Sequence, residues 1–310
     1  MARNHAKAVA ALCLAAALLL CPALAEETEG SGAVYVENAY NFVDVSMDIA
    51  QGIPEDAQGV LGDIRESGVL RVATEPYFPP QEFIDPDLEG QARYVGSDME
   101  LARLIARHMG VELEIVPMDF SGVLDAVTAG ECDLAISALS YTPGRAAQMT
   151  LSKGYNYAAG NAGSGLMIRE EDAGTITGLE SLAGRNIAAQ SGSLQEAQMA
   201  ENVFRYREFR RLSSVQELYA ALAQGSVDAV MVDVESGLNY IEGNPDAAFT
   251  LVPGVRLSLE EVYDGDRIAA KKGEGELIGF VNGVIDELLL SGEYRQWYEE
   301  FSRRAEALGM

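Results

Sequence analysis

The chain has 310 residues, 48% hydrophobic and 23% charged, which is enough for one large or two medium domains with real cores. Its formal net charge of −26 argues against nucleic acid and anionic membrane surfaces as partners and serves solubility. With 3 cysteines and 2 histidines it has little to offer a metal site or a histidine-based triad.

Residues 1–25 read as a secretory signal. Arg3 and Lys7 supply the positive start, Ala8 to Leu20 is unbroken apolar sequence, and Ala23-Leu24-Ala25 offers small residues before Glu26. Cys21 raises the question of a lipid anchor, but Leu20 stands before it where a small residue is usual, so plain cleavage is the reading and an uncleaved anchor the alternative. Cleavage leaves Cys132 and His108 alone in their kinds. No internal disulfide, cofactor or metal is then expected.

Residues 26–67 form an N-terminal extension, an acidic glycine-bearing leader followed by helices. Val36, Tyr40, Val43, Met47 and Ala50 recur at helical spacing and predict an amphipathic helix packed on the outside of the main body. A second helix is expected from Pro54 through Ile64, closed by Gly68. Leu70 to Thr74 is a strand running into Glu75-Pro-Tyr-Phe-Pro-Pro80, a stiff loop with two adjacent aromatics. Tyr77 and Phe78 are each either ligand-facing or core, with Phe78 leaning to the ligand. Ser97 and Glu100 suggest a capping box, and Asp98 is explained by that helix start. Strand Val111 to Val116 follows, and then Phe120 before a helix through Ala129.

The segment Val123 to Ile136 recurs 95 positions later as Leu218 to Met231: helix, glycine stop (Gly130, Gly225), turn aspartate (Asp133, Asp228) and buried strand. An earlier strand-loop-helix unit accompanies each copy, with Ser193 and Glu196 as a capping box in the second. The chain therefore carries two βαβ-built lobes of one plan, whose strand-end loops face each other across a cleft. A glycine-rich join at Gly160 to Gly165 and a return near Tyr263 to Ala270 make two hinge crossings. Lobe 1 comprises 68–163 and 263–310, and lobe 2 comprises 164–262. Helices from Glu274 to Leu290 and from Glu293 to Ala305 close the chain, the second carrying the lone Trp297, read as core.

Four loops line the cleft: Glu75 to Pro80; Ser137-Ala-Leu139-Ser140 onward to Arg145; Gln190 to Gln195 with Ser193; and Val232 to Ser236. Thr142-Pro143 opens a helix whose first turn holds Arg145. A guanidinium beside hydroxyls and free N–H groups suits a carboxylate, and Asp233 opposite suits an ammonium. Together they fit a free amino acid. Asp233 also has the ordinary reading of a turn aspartate.

At these residues the chain resembles the amino-acid-type (family 3) solute-binding proteins of ABC importers. The likeness runs from Gly68 to Phe301. It rests on Thr74 to Pro80, Val95 to Ala102, Gly130 to Ser137, Ser140 to Arg145, Gln190 to Leu194 and Val227 to Asp233, in that order. The resemblance implies an α/β, two-lobe periplasmic-binding-protein fold (type II) and a secreted, periplasmic or cell-surface monomer. Such a protein delivers a free L-amino acid, polar or basic, to an ABC permease. It further implies that Phe78 and Phe120 stack on the ligand, and that Ser140, Arg145 and the Leu194 N–H take its carboxylate. Asp233 and backbone oxygens near Ala138 would take the ammonium, and Glu75 would meet a basic side chain. Leu194 and Ala138 depart from the family's usual residues, as do Gln81 and Tyr141, which bears on side-chain specificity. An enzyme on the same scaffold, of the amino-acid-precursor dehydratase type with Glu75 or Glu235 as acid, is the alternative. A sensory module is a third reading.

Overall fold

The structure is a computed structural model, and it describes residues 35–157, 163–258 and 264–310. The expected signal, the leader and the start of both crossings lie outside the described residues. The first part of the chain builds α1 (Gly59–Ser67), β1 (Val69–Thr74), β2 (Tyr77–Phe78), β3 (Glu82–Ile84), β4 (Tyr94–Val95) and α2 (Ser97–Met109). It continues with β5 (Glu112–Pro117), α3 (Phe120–Ala129), β6 (Leu134–Ser140), α4 (Pro143–Gln148) and β7 (Met149–Leu151). The middle builds β8 (Ser164–Arg169), β9 (Asn186–Gln190), α5 (Leu194–Asn202), β10 (Glu208–Leu212), α6 (Val215–Ala223), β11 (Ala229–Asp233), α7 (Val234–Gly243) and β12 (Phe249–Leu257). The last part returns as β13 (Asp266–Lys271), α8 (Gly275–Ser291) and α9 (Glu293–Leu308).

Ten of these strands form two five-stranded sheets of one plan, and β2, β3 and β4 form a small three-stranded sheet. The first has the order β5-β1-β6-β13-β7 and the second β10-β9-β11-β8-β12. In each, three strands run parallel and the next, entering beside a crossing, runs antiparallel to the third. The inner parallel strands β1, β6, β9 and β11 read as mostly apolar runs because helices cover both faces, whereas the edge strands β5 and β10 carry charges. The sequence repeat thus corresponds to α3–β6 and α6–β11. Gly130 (φ 79°) and Gly225 (φ 70°) take the left-handed turn after each helix, a conformation a side chain would strain. The two turn aspartates also do the same work: Asp133 accepts the Arg71 N–H on β1 and Asp228 accepts the Asn186 N–H on β9, each at 2.7 Å. Trp297 is half-buried against the core of the first sheet.

The N-terminal expectation needs correcting. Residues 35–53 form no helix. They run as an extended strap with one bridge, Glu37 to Val43, and a turn at Asn38–Asn41 in which Asn38 accepts the Tyr40 N–H. The apolar residues that predicted one helical face do not share one: Val43 is fully buried while Val36 is 61% exposed. Helix-poor Asn and Asp residues are part of the reason, because their side chains compete for backbone groups. The main body supplies the rest, since it satisfies the strap's backbone itself. Val43 N donates to Leu151 O at 2.9 Å and Met47 N to Gly279 O at 2.8 Å, while Asn282 donates to the carbonyls of Val43 and Val45. Phe42 lies face-on over the buried Arg267 guanidinium at 4.5 Å, and Lys153 bridges Ser46 and Asp286. The second helix starts later than expected, at Gly59 rather than Pro54, and ends at Gly68 as expected.

A glycine stripe on α8 receives the strap. Gly275, Gly279 and Gly283 recur every four residues and so share one helix face. A Cβ at Gly275 would overlap the Tyr35 carbonyl, one at Gly279 the Tyr35 ring, and one at Gly283 the Met47 carbonyl. Gly279→Leu should therefore cost about 1–3 kcal/mol in urea denaturation by overpacking this seam. Gly174→Ala, at an open site without a positive φ, should stay within about 0.5 kcal/mol of the parent.

Candidate functional site

The strand-end loops of the two sheets enclose a cavity of about 170 Å³. That is below the roughly 300–1,000 Å³ of drug-sized pockets and on the scale of one small polar solute. The lobes meet directly around it. Arg145 donates to Gly192 O at 3.0 Å, Gln190 Nε2 to Glu75 Oε1 at 2.7 Å, Gln216 to Tyr77 O at 3.1 Å and Tyr298 OH to Glu235 at 3.0 Å.

Arg145 is placed as its sequence suggests. Thr142 caps α4 by accepting the Arg145 N–H at 3.1 Å, with Pro143 in the first turn. The side chain is buried, donates to Ser140 O at 2.6 Å, and lies over the Phe120 ring at 5.3 Å. Burial lowers its affinity for the proton, to about 10, with the Asp266 charge acting the other way, so it stays charged at neutral pH. Its hydrogen-bond partners are carbonyls, which leaves a guanidinium at the cavity wall without a carboxylate partner among the described residues.

The other expected residues divide. Phe78, Phe120, Ser140, Gln190, Ser193, Leu194 and Asp233 line the cavity, as do Glu75, Ser137 and Ala138. Leu139 does not: it is fully buried in the core packed around α3 and β6, so its placement at the site is withdrawn. Ser137 is committed to the fold, since its hydroxyl accepts the Glu75 N–H and donates to Glu82 Oε1. Of the adjacent aromatics, Phe78 faces the cavity and Tyr77 is largely exposed. Tyr141 turns away from the cleft and donates to the Tyr40 carbonyl of the strap. Ser193 caps α5, accepting the Glu196 N–H, while the Glu196 side chain accepts from Gly192 rather than from Ser193. Asp233 keeps its ordinary role as well, capping α7 by accepting the Ser236 N–H at 2.9 Å, and burial raises its carboxyl.

Asp98 differs from its expected role as a helix cap. The cap position of α2 is Gly96, with no side-chain bond, and Ser97 hydrogen-bonds the Tyr294 hydroxyl instead. Asp98 is fully buried and accepts the Ala138 N–H at 2.9 Å and the hydroxyls of Tyr155 and Tyr294, both at 2.7 Å. Ala138 has φ 46°, a left-handed conformation that costs a non-glycine residue on the order of 1 kcal/mol. The bond to Asp98 holds it there, at the bend in β6 where the cleft begins.

Sequence reasoning missed two further carboxyls. Glu82 is buried beside Asp98, and burial together with the Asp98 charge raises its carboxyl well above the usual range. It shares a hydrogen bond with the Asp98 carboxyl. Asp266, the first residue of β13, pairs across the strands with Ser140 and lines the cavity. Asn156 and Gln81 both donate to its Oδ2, at 2.8 and 3.2 Å. Burial, with the Asp98 and Asp233 charges, pushes it up to about 7. Glu75 is likewise raised to about 7, chiefly by burial, with the Gln190 bond opposing and Asp119 adding. The one signal that could have found Asp266 was its position in the second crossing, beside the mouth of a repeat already identified.

Two like-built lobes closing on a polar cavity that holds one buried guanidinium and several carboxyls define a two-lobed small-solute-binding protein. The chain belongs to the bacterial extracellular solute-binding proteins, family 3, whose description matches residues 70–304. A solved structure of similar build is the amino acid ABC transporter substrate-binding protein AbpA from Streptococcus pneumoniae Canada MDR_19A, bound to L-arginine. It has 34% identity and a TM-score of 0.67, with 77% of this chain and 96% of that chain covered. The L-cystine-binding protein TcyJ of Escherichia coli K12 is 25% identical over 79% of this chain and 86% of its own. The arginine-binding extracellular protein ArtP of Bacillus subtilis 168 is 27% identical over 74% and 86%.

The raised carboxyls make a test of the site without any ligand. A carboxyl near 7 in the folded state and near 4.5 or 3.8 unfolded keeps its proton longer when folded, so folding takes up protons between those values. Stability should be full below about pH 4 with respect to Glu75 and Asp266 and fall as pH rises through 7, by on the order of 3 kcal/mol for Glu75. Denaturation midpoints of the ligand-free protein from pH 5 to 8 should therefore decline, and Glu75→Gln should flatten that decline.

Proposed function

We propose that the chain captures a free amino acid with a cationic side chain in its interlobe cleft and hands it, as a monomer, to an ABC permease outside the cytoplasm. On this reading residues 1–25 direct export, 26–67 precede the lobes, 68–163 with 263–310 form lobe 1, and 164–262 form lobe 2. The observation that carries the ligand class is Glu75: a buried carboxyl in the cavity wall, oriented by the Gln190 amide from the opposite lobe, with no cation against it among the described residues. Arg145, the Leu194 N–H at the start of α5 and Ser140 support a carboxylate grip. Asp233 with the Ala138 backbone supports an ammonium site, and the Phe78 and Phe120 rings flank the stem between. A ligand cation at Glu75 would replace the proton that burial otherwise retains there. The arginine named for the similar proteins agrees with this chemistry.

Titration calorimetry against the twenty amino acids should rank L-arginine, L-lysine or both at least tenfold above L-glutamine and far above L-glutamate. Preference for an acidic amino acid would refute the cationic reading. Arg145→Ala should weaken the best ligand by about 3–5 kcal/mol, because it leaves a desolvated carboxylate unpaired. Unchanged affinity in that variant would show that the carboxylate lies elsewhere.

One observation favours a second reading, an enzyme on the same scaffold: a carboxyl raised to about 7 is suited to general acid work near neutral pH. Bound ligand recovered by denaturation and analysed for mass separates the two. On the transport reading it returns unchanged after prolonged incubation, and conversion would establish the enzyme.

A further inference from the structure

The hinge end of the cleft holds a carboxyl to which the amino-acid reading gives no role. Asp266 comes from the strand that enters the first sheet directly after the second crossing, and Asp233 from the last residue of β11 in the second sheet. Both line the one cavity. Each is hydrogen-bonded by neutral donors. Two amide groups bind Asp266 Oδ2, while its other oxygen has no hydrogen bond among the described residues. Asp233 Oδ1 takes the Ser236 N–H. Ser164, the first residue of β8, is the strand partner of Asp233 and lines the same cavity. It is fully buried, and its hydroxyl has no partner among the described residues. A buried hydroxyl without a bond costs about 1–3 kcal/mol, so a polar group delivered by a ligand is what completes it.

We propose that Asp266 is a specificity-determining residue that brackets the ligand's ammonium together with Asp233, one carboxylate from each lobe, with the Ser164 hydroxyl completing the shell. This rests on the amino-acid reading given above. It goes beyond that reading by placing two opposed carboxylates where an amino acid offers one positive group. Carboxylates of like charge on facing lobes oppose closure until a cation lies between them, so the same residues couple lobe closure at the hinge to the presence of an ammonium. An amino acid and its 2-hydroxy analogue differ at this point alone. The bracket therefore predicts a large preference for the former, and assigns much of it to a residue on lobe 1.

The test uses the full chain and measures, by calorimetry, the ratio of affinities for L-arginine and for 5-guanidino-2-hydroxypentanoate, which keeps the guanidine and the carboxylate and lacks the ammonium. In the parent the ratio should be at least 100, and in Asp266→Asn it should fall about tenfold or more. Asp233→Asn serves as the reference for the ammonium site itself. The double variant should lose less than the product of the two single losses, because both act on one group. Asn at 266 still offers an oxygen to Gln81 and Asn156, and unfolding curves check that the variant folds. A merely structural role would weaken both ligands alike and leave the ratio within twofold of the parent, which would overturn the proposal. If the parent binds no L-arginine, the cationic-side-chain reading falls by itself. The ratio is then measured with L-glutamine, or with L-cystine, each against its hydroxy analogue, and the same outcomes decide the role of Asp266.

Discussion

The cleft depends on one buried carboxyl tied to the cavity wall through the Ala138 backbone and the Glu82 side chain. Asp98 lies at the start of α2. It draws in the Ala138 N–H from the bend of β6, Tyr155 from the approach to the first crossing and Tyr294 from α9 after the second. Three donors satisfy it, and the two tyrosines pack edge to face at 5.3 Å, so the charge is sealed from water on every side. Four segments far apart in sequence are thus tied to one atom group. The consequence reaches the site through geometry. Ala138 is held in a left-handed conformation that its own side chain disfavours, and that bend turns the end of β6 so that Ser140 and Arg145 face the opposite lobe while Leu139 is turned into the core.

Around that tie, the cavity sets one guanidinium against several carboxyls. A neutral or acidic solute would leave these carboxyls either protonated or unpaired, and both conditions cost free energy at neutral pH. A solute bearing an ammonium and a further cation supplies what the walls lack, while its carboxylate supplies what Arg145 lacks. On the proposed reading, charge balance at the site, rather than the net charge of the whole chain, selects the ligand. The −26 of the chain acts at long range and is screened within about a Debye length, whereas the cleft groups lie in the cavity wall itself.

Much of this was legible in the sequence, for definite reasons. The repeat of helix, glycine, aspartate and strand exposed both sheets because each of its parts has a local signature: Gly130 and Gly225 need a left-handed turn, and Asp133 and Asp228 need a strand N–H to accept. Arg145 was legible because Thr142-Pro143 fixes the helix start that carries it. What stayed hidden was set by contacts at long range. Asp98 looked like a helix cap because its partners lie 40, 57 and 196 positions away. The strap looked like a helix because its apolar spacing was right by chance while its hydrogen bonds go to α8 and β7. Asp266 and Glu82 carry no local motif at all, and only the folding of the crossings brings them to the cleft.

The strap adds a last constraint. It lies N-terminal to residues 70–304, where the family likeness runs, and it grips elements that all belong to the first sheet: the α8 glycine face, the end of β7, and Arg267 beside Asp266 on β13. Arg267 is buried, burial lowers its hold on the proton, and its hydrogen bonds go to the carbonyls of Ser152 and Asp264 on the two chain segments that approach the crossings. The Phe42 ring seals that guanidinium on one face. Residues 266 and 267 therefore point to opposite sides of one strand, the carboxyl into the cleft and the guanidinium into the strap, as the alternation of a β-strand requires. The extension so fixes the position of β13 from behind. The strand that presents Asp266 to the cavity is thereby held from the side opposite the cleft by a segment outside the family likeness.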